Sequence, residues 1–337
     1  MKTIGVIGGG AWGTALAQVL TAGGRDVLLQ AREAEVVESI NTKHENTVFL
    51  PGITLHKNLK ATELLSEVAQ RDILLMVTPS QFLRATLDEM KNDIREDQPV
   101  VICSKGIELT TGLLLSQVAE QTVPQATIAI LTGPTFASEV ARGLPTAVTI
   151  AAKTKEIARS LQAELGVKNF RPYVTSDIIG TQLGGAIKNV IAIACGIVHG
   201  KKLGDSARAA LLTRGVAEIA RLGVSMGADK ETLLGMCGIG DLMLTCSSMQ
   251  SRNFSLGNAL GEGKTLDEIL GPRKAVTEGV FTAESTLALA KNYAVDMPIT
   301  EAVNKCLNEG VSIDDAIEEM LNRPFRYEMT KRKKKPH

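Results

Sequence analysis

The chain has 337 residues, with 37 basic and 37 acidic side chains and a formal charge of zero. That length holds about two domains, each with its own core, and the balanced charge excludes the electrostatic footprint of a nucleic-acid or membrane-surface binder. Aromatic residues make up 3% of the chain, too few for the stacking platforms that single-stranded nucleic acid requires.

Residues 4–7, Ile-Gly-Val-Ile, predict a short buried strand, and Gly8-Gly9-Gly10-Ala11-Trp12-Gly13 follows at once. Residues 14–21 then read as a helix. A G-x-G-x-x-G run between strand and helix is a dinucleotide fingerprint. In it Gly8 permits the tight turn, Gly10 lets a pyrophosphate approach the backbone, and Gly13 lets helix and strand pack closely. The helix N-terminus offers unpaired N–H groups to the phosphates. Residues 27–29 predict the second strand of this unit. The carboxylate expected near its end, to bind the adenosine ribose, is replaced by Gln30, with Arg32 two residues on. Losing the carboxylate removes repulsion against a 2′-phosphate, and Arg32 supplies a fork for one. NADP(H) should therefore be accepted as well as NAD(H).

Further apolar strands are expected over residues 73–77, 100–103 and 128–131, with helical stretches between them. Such alternation argues for a parallel sheet with helices on both faces, whose ligands lie beyond the carboxyl ends of the strands. There the loops Thr78-Pro79-Ser80, Ser104-Lys105-Gly106 and Thr132-Gly133-Pro134-Thr135 should meet. Lys105 suits a phosphate or a carboxylate. Gly133 and Thr135 offer N–H and hydroxyl donors at the start of a helix over residues 136–141. Residues 147–151 and 170–174 predict late strands. After Ser176 the β pattern stops, and from Asp177 to Leu321 it is helical. The expected organisation is a Rossmann-like α/β domain over residues 1–176 and an all-α substrate domain over residues 177–330. A basic tail, 331–337, should be a frayed and disordered end.

The helical half opens on a 21-residue apolar run, residues 178–198, that contains Gln182-Leu183-Gly184-Gly185-Ala186-Ile187-Lys188-Asn189. A lone ammonium among aliphatic side chains is costly to desolvate, so the Lys188 pKa should fall into the range of an acid/base catalyst. A salt-bridged lysine in a central helix is the competing reading. A membrane span is disfavoured, because a mid-membrane lysine alone costs roughly 3 kcal/mol. The paired glycines leave room for a small molecule or another backbone. Gly238-Ile239-Gly240-Asp241 sets a carboxylate behind a tight turn, where it could orient Lys188 or bind a substrate hydroxyl. Ser251-Arg252-Asn253 gathers phosphate donors at the head of a helix. His199 is read as a helix-end residue. Five cysteines (103, 195, 237, 246, 306) and four histidines show no metal-ligand spacing, which suits reduced thiols in a cytoplasmic protein without a metal. No signal peptide is visible.

Together these motifs resemble the bacterial type of NAD(P)-dependent glycerol-3-phosphate dehydrogenase, and the resemblance covers almost the whole chain. Val276-Thr277-Glu278-Gly279 continues it. The resemblance implies reversible oxidation of sn-glycerol 3-phosphate to dihydroxyacetone phosphate, which supplies phospholipid synthesis, by a cytoplasmic homodimer. It further implies that Lys188 accepts and donates the proton and that Lys105, Gly133, Thr135, Asp241, Ser251, Arg252 and Asn253 surround the substrate. Ala11, Trp12, Arg32, Lys105, Ala137, Arg252, Val276 and Glu278 would line the cofactor. Ala11 stands where many relatives carry serine, which should weaken cofactor binding modestly at most. The rival readings are another two-domain dehydrogenase of the hydroxyacyl or phosphogluconate type, and a non-catalytic NADP-sensing module.

Overall fold

Short runs of β-branched and aliphatic residues bounded by turn formers set the strands of the first half. The computed structural model of the chain describes residues 2–271 and 277–325. Val276 and the basic tail fall outside them. The first unit is β1 (Ile4–Ile7), α1 (Ala11–Ala22), β2 (Val27–Gln30), α2 (Ala34–Lys43) and β3 (Lys60–Thr62). A second unit follows with α3 (Leu65–Ala69), β4 (Ile73–Met76), α4 (Leu83–Met90), β5 (Pro99–Ile102), α5 (Leu115–Thr122) and β6 (Thr127–Thr132). The half closes with α6 (Ala137–Ala141), β7 (Thr146–Ala152), α7 (Lys155–Leu165) and β8 (Phe170–Thr175).

These eight strands form one sheet in the order β3-β2-β1-β4-β5-β6-β7-β8. Chain order reverses between β1 and β4, which opens the crevice where ligands of such sheets bind. The sheet departs from the all-parallel expectation in two ways. β7 pairs antiparallel with β6, and β8 runs parallel to β7, so the last two strands oppose the first six. Between β6 and β7 stands only the single helical turn of α6, which packs across α1. The chain therefore re-enters the sheet at the end it left, instead of crossing back along a full-length helix. β3 is also additional to the expected strands. It is three residues long and pairs only with β2, too short to show a periodic signature.

The second half is helical: α8 (Ile178–Gly200), α9 (Asp205–Ser225), α10 (Lys230–Leu233), α11 (Asp241–Cys246) and α12 (Arg252–Gly261). Then come α13 (Leu266–Leu270), α14 (Glu278–Asn292), α15 (Pro298–Asn308) and α16 (Ile313–Leu321). Asp177 caps α8 by accepting from Gly180 N. By length and composition α8 could cross a membrane, but 83% of its apolar window is buried inside the protein. Its aliphatic side chains form one cluster with Phe254, Leu256 and Ile299, and Phe254, almost fully buried, is worth about 2–3 kcal/mol by its apolar area alone. Glycines let α12 cross closely: a methyl group on Gly196 would lie 2.1 Å from Phe254 O, and one on Gly257 2.0 Å from Ile193 O. His199, in the last turn of α8, shares a 2.7 Å hydrogen bond with Asn258.

Candidate active site

The glycine loop leaves β1 at Gly8, whose φ of +114° suits a residue without a side chain. A Cβ on Gly13 would sit 1.9 Å from Gly8 O, so α1 approaches the strand end more closely than any other residue would allow. At Gly10, the N-cap of α1, the same test meets nothing within 4 Å, and no side chain caps this helix or puts an acid in its first turn. An uncapped helix end facing open space fits the diphosphate of a dinucleotide. Ala11 and Trp12 form the first turn, and Trp12 Nε1 is buried without a hydrogen-bond partner. Arg32 is exposed just beyond β2, while the Gln30 amide is tied to Glu63 O at 3.3 Å. Ala137 opens α6 and packs on the same core cluster as Ala11 and Trp12.

Across the seam between the halves, Lys188 sits midway along α8 with 6% of its side chain exposed. Its Nζ donates to Asp241 Oδ1 and, at 2.8 Å, to Thr245 Oγ1. The other carboxylate oxygen of Asp241, a fully buried residue, accepts from Lys105 Nζ at 2.7 Å. Lys105 also donates to Gly133 O at 3.2 Å, bringing the ends of β5 and β6 into the same cluster. Burial pushes the Lys188 pKa down to about 7, with the neighbouring Lys105 acting in the same sense and Asp241 opposing both. Of the two readings of Lys188, the salt bridge is present, and it raises the pKa against the effect of burial.

Of the paired glycines, Gly184 makes room for another stretch of backbone, and Gly185 for the side chains of Thr132 and Lys105. A Cβ on Gly184 would lie 2.4 Å from Cys237 O, in the π turn of residues 236–240 that leads into α11. One on Gly185 would lie 2.8 Å from Thr132 Oγ1. Both contacts pull α8 against the elements that carry Asp241 and Lys105.

A second cluster borders the first. Glu278 begins α14, and both its oxygens face the end of β4: Ser80 N donates at 3.0 Å and Ser80 Oγ at 2.5 Å. Gly106 fits beside this clasp, because a Cβ there would meet Ser80 Oγ at 2.5 Å. Burial raises the Glu278 pKa, while the Ser80 donors and the Arg252 guanidinium partly offset it. Ser251 is the N-cap of α12, its hydroxyl accepting from Phe254 N at 3.2 Å. Asn253 Oδ1 accepts from Gly279 N at 3.1 Å, and Gly279 lies so close to α8 that a Cβ would be 3.0 Å from Asn189 O. Thr135 donates weakly to Gly133 O at 3.4 Å.

The structure thus joins Lys105, Gly133, Lys188 and Asp241 in one cluster, and Arg252, Asn253 and Glu278 in its neighbour. Val276 lies outside the described residues. Thr245 is a contributor the sequence does not single out, and the Ser80 loop, expected at the strand ends, has Glu278 as an unforeseen partner. Thr245 is one helical turn after Asp241, a spacing that puts both on one face. Among the described residues, no three His, Cys, Asp or Glu side chains gather as metal ligands.

Comparisons with known proteins cover both halves of the chain. Residues 3–158 match the family described as NAD-dependent glycerol-3-phosphate dehydrogenase N-terminus, and residues 177–318 match its C-terminus counterpart. A relative from Parvibaculum lavamentivorans, named glycerol-3-phosphate dehydrogenase [NAD(P)+], is 56% identical over 97% of this chain and 98% of its own length. One of the same name from Maricaulis maris is 51% identical with the same coverage. The crystal structure of glycerol-3-phosphate dehydrogenase from Coxiella burnetii, 37% identical, superposes with a TM-score of 0.91 over 96% of this chain and 99% of that one. A ketopantoate reductase from Ralstonia eutropha, with a TM-score of 0.61 and 14% identity over 94% of this chain and 99% of its own, shares the fold alone.

Proposed function

The chain belongs to the NAD-dependent glycerol-3-phosphate dehydrogenase family, and we propose that Lys188 is the acid and base through which it works. It is an NAD(P)-dependent oxidoreductase that interconverts sn-glycerol 3-phosphate and dihydroxyacetone phosphate. The observation that carries the assignment is a buried lysine at the seam of the two halves, its pKa brought down to about 7.

A neutral lysine has two N–H bonds and one lone pair. Asp241 and Thr245 accept from the amine, and Thr245 Oγ1 spends its own proton on Asp241 O at 2.6 Å. With both N–H bonds so engaged, the lone pair is left to take the hydroxyl proton of glycerol 3-phosphate. In reduction the same nitrogen returns a proton to the carbonyl oxygen. Both Asp241 oxygens are occupied by lysines, so Asp241 acts as the group that orients Lys188. The phosphate is held by Arg252 and Asn253 and by the Ser251-capped N-terminus of α12, so binding energy far from the reacting carbon positions it. Lys105, Gly133 and Thr135 line the same side.

The uncapped end of α1, with Gly8, Gly10, Ala11, Trp12 and Gly13, receives the pyrophosphate; Arg32 meets the adenosine ribose, and Ala137, Arg252 and Glu278 the remainder. Bound there, nicotinamide supplies or takes up the hydride. Acceptance of NADP(H) is supported by Gln30 standing where a carboxylate would repel the 2′-phosphate. A cytoplasmic homodimer is the proposed form, and the burial of α8 supports a chain that does not span the membrane. The decisive test is the initial rate of NADPH and NADH oxidation with dihydroxyacetone phosphate, beside acetoacetyl and gluconate-type substrates. Turnover confined to dihydroxyacetone phosphate is expected. Cofactor binding without turnover on any of them would favour a sensing module instead.

A further inference from the structure

Asn46 lies in the connection between α2 and β3 and is fully buried. Its Nδ2 donates to Gly9 O at 2.8 Å and to Thr14 Oγ1 at 2.8 Å, and its Oδ1 accepts from Phe49 N at 2.9 Å. Thr14 Oγ1 donates to Gly9 O as well, at 3.3 Å. The amide orientation follows from this network, since the opposite one would set its oxygen against Gly9 O and its NH2 against Phe49 N.

In a planar trans peptide the C=O and N–H point to opposite sides. The peptide between Gly9 and Gly10 has glycine on both flanks, so nothing in its own side chains resists a flip. Holding Gly9 O inward aims Gly10 N–H outward, towards the open side of the α1 N-terminus where a Cβ on Gly10 would meet nothing within 4 Å. A flip would present a carbonyl oxygen to a diphosphate in place of a donor. We propose that Asn46 is a positioning residue for the cofactor: it locks the Gly9–Gly10 peptide in the orientation that receives the pyrophosphate. Thr14 is its brace, accepting from the amide and sharing Gly9 O. This inference rests on the reading that the dinucleotide lies on the glycine loop.

The test is Asn46→Ala in the full-length enzyme, with ADP and adenosine as competitors of NADPH. ADP carries the diphosphate and adenosine does not. The KM values for NADPH and NADH and the inhibition constant of ADP should all rise by about tenfold, the size expected for the one of the three lost amide bonds that holds Gly9 O. The inhibition constant of adenosine, the KM for dihydroxyacetone phosphate and kcat at saturating cofactor should stay within about twofold. An equal rise for adenosine and ADP would mean that the whole adenosine pocket had been disturbed, and would overturn the proposal, as would an unchanged constant for ADP. ADP that fails to compete with NADPH in the wild-type enzyme would instead remove the underlying reading of the loop. If Asn46→Ala does not fold, Thr14→Val takes its place, with the same selective loss for ADP at about threefold. No change for ADP in that variant also overturns the proposal.

Discussion

Replacing Asp241 by asparagine removes one negative charge from between the half-buried Lys105 and the buried Lys188 and changes little else in shape. Lys105 Nζ stands 2.7 Å from one oxygen and Lys188 is bonded to the other. Unit charges about 3 Å apart attract by roughly 5 kcal/mol at an effective permittivity of 20. If water entering the seam relaxes half of that, the Lys188 pKa should fall by about two further pH units, from about 7 in the wild type to roughly 5. The assay is the pH profile of kcat/KM for dihydroxyacetone phosphate at saturating NADPH, paired with that for glycerol 3-phosphate. Reduction needs the protonated amine and should decline above about pH 7 in the wild type; oxidation needs the neutral amine and should decline below it. In Asp241→Asn both bends should move to roughly pH 5. At pH 7.5 the loss in reduction should lie between about tenfold and a hundredfold, depending on how far the stronger acid speeds its own proton transfer. The overall equilibrium fixes the ratio of the two directions, so oxidation must lose by the same factor at that pH. Bends that stay within about 0.3 pH units of the wild type would refute the electrostatic role given to Asp241.

Three further outcomes are expected. Lys188→Ala should lower kcat by about three orders of magnitude while the cofactor dissociation constant, followed by fluorescence of the only tryptophan, Trp12, stays the same; turnover near normal would dismiss Lys188 as acid and base. Arg32→Ala should raise the KM for NADPH about tenfold and leave NADH unaffected, and equal NADPH affinity in both proteins would reduce Arg32 to a solvated charge. Glu218 on α9 accepts from Ile299 N, Thr300 N and Thr300 Oγ1 at the start of α15, and burial raises its pKa from 4.5 to about 7. The unfolded chain releases this proton from about pH 4.5 while the folded protein keeps it to about 7, so stability should fall by roughly 3 kcal/mol as pH rises through that window. Denaturant melts at pH 4.5 and 7.5 should show that slope in the wild type and a flatter one in Glu218→Gln.

Features whose cause is local were legible in the sequence. Gly8, Gly10 and Gly13 announce the loop because each answers a steric demand within a few residues, and α8 announces itself by an apolar run longer than any strand. Ser251-Arg252-Asn253 reads as the head of a helix for the same reason. Strand direction does not work this way. Residues 147–151 look like any buried strand, and only the shortness of the link from β6 decides that β7 runs backwards. The role of Asp241 was open because its partners are 53 and 136 residues away in sequence. Asn46 and the pairing of Ser80 with Glu278 escape the sequence for the opposite reason. Serines and asparagines in loops are common, and neither residue shows from sequence alone that its side chain will meet Glu278 or Gly9.

The backward run of β7 and β8 sets a rule about chain length. It returns the polypeptide to the amino ends of the six parallel strands, and α8 has to climb the height of the sheet before its lysine meets Lys105 and Asp241. Ten residues separate Ile178 from Lys188, a rise of roughly 15 Å. One residue inserted in that stretch would lift the amine about 1.5 Å and turn it by about 100°, away from Asp241 and Thr245. Four inserted residues would restore the direction but overshoot by about 6 Å. The interval from Ile178 to Lys188 should therefore admit substitutions and no change in count.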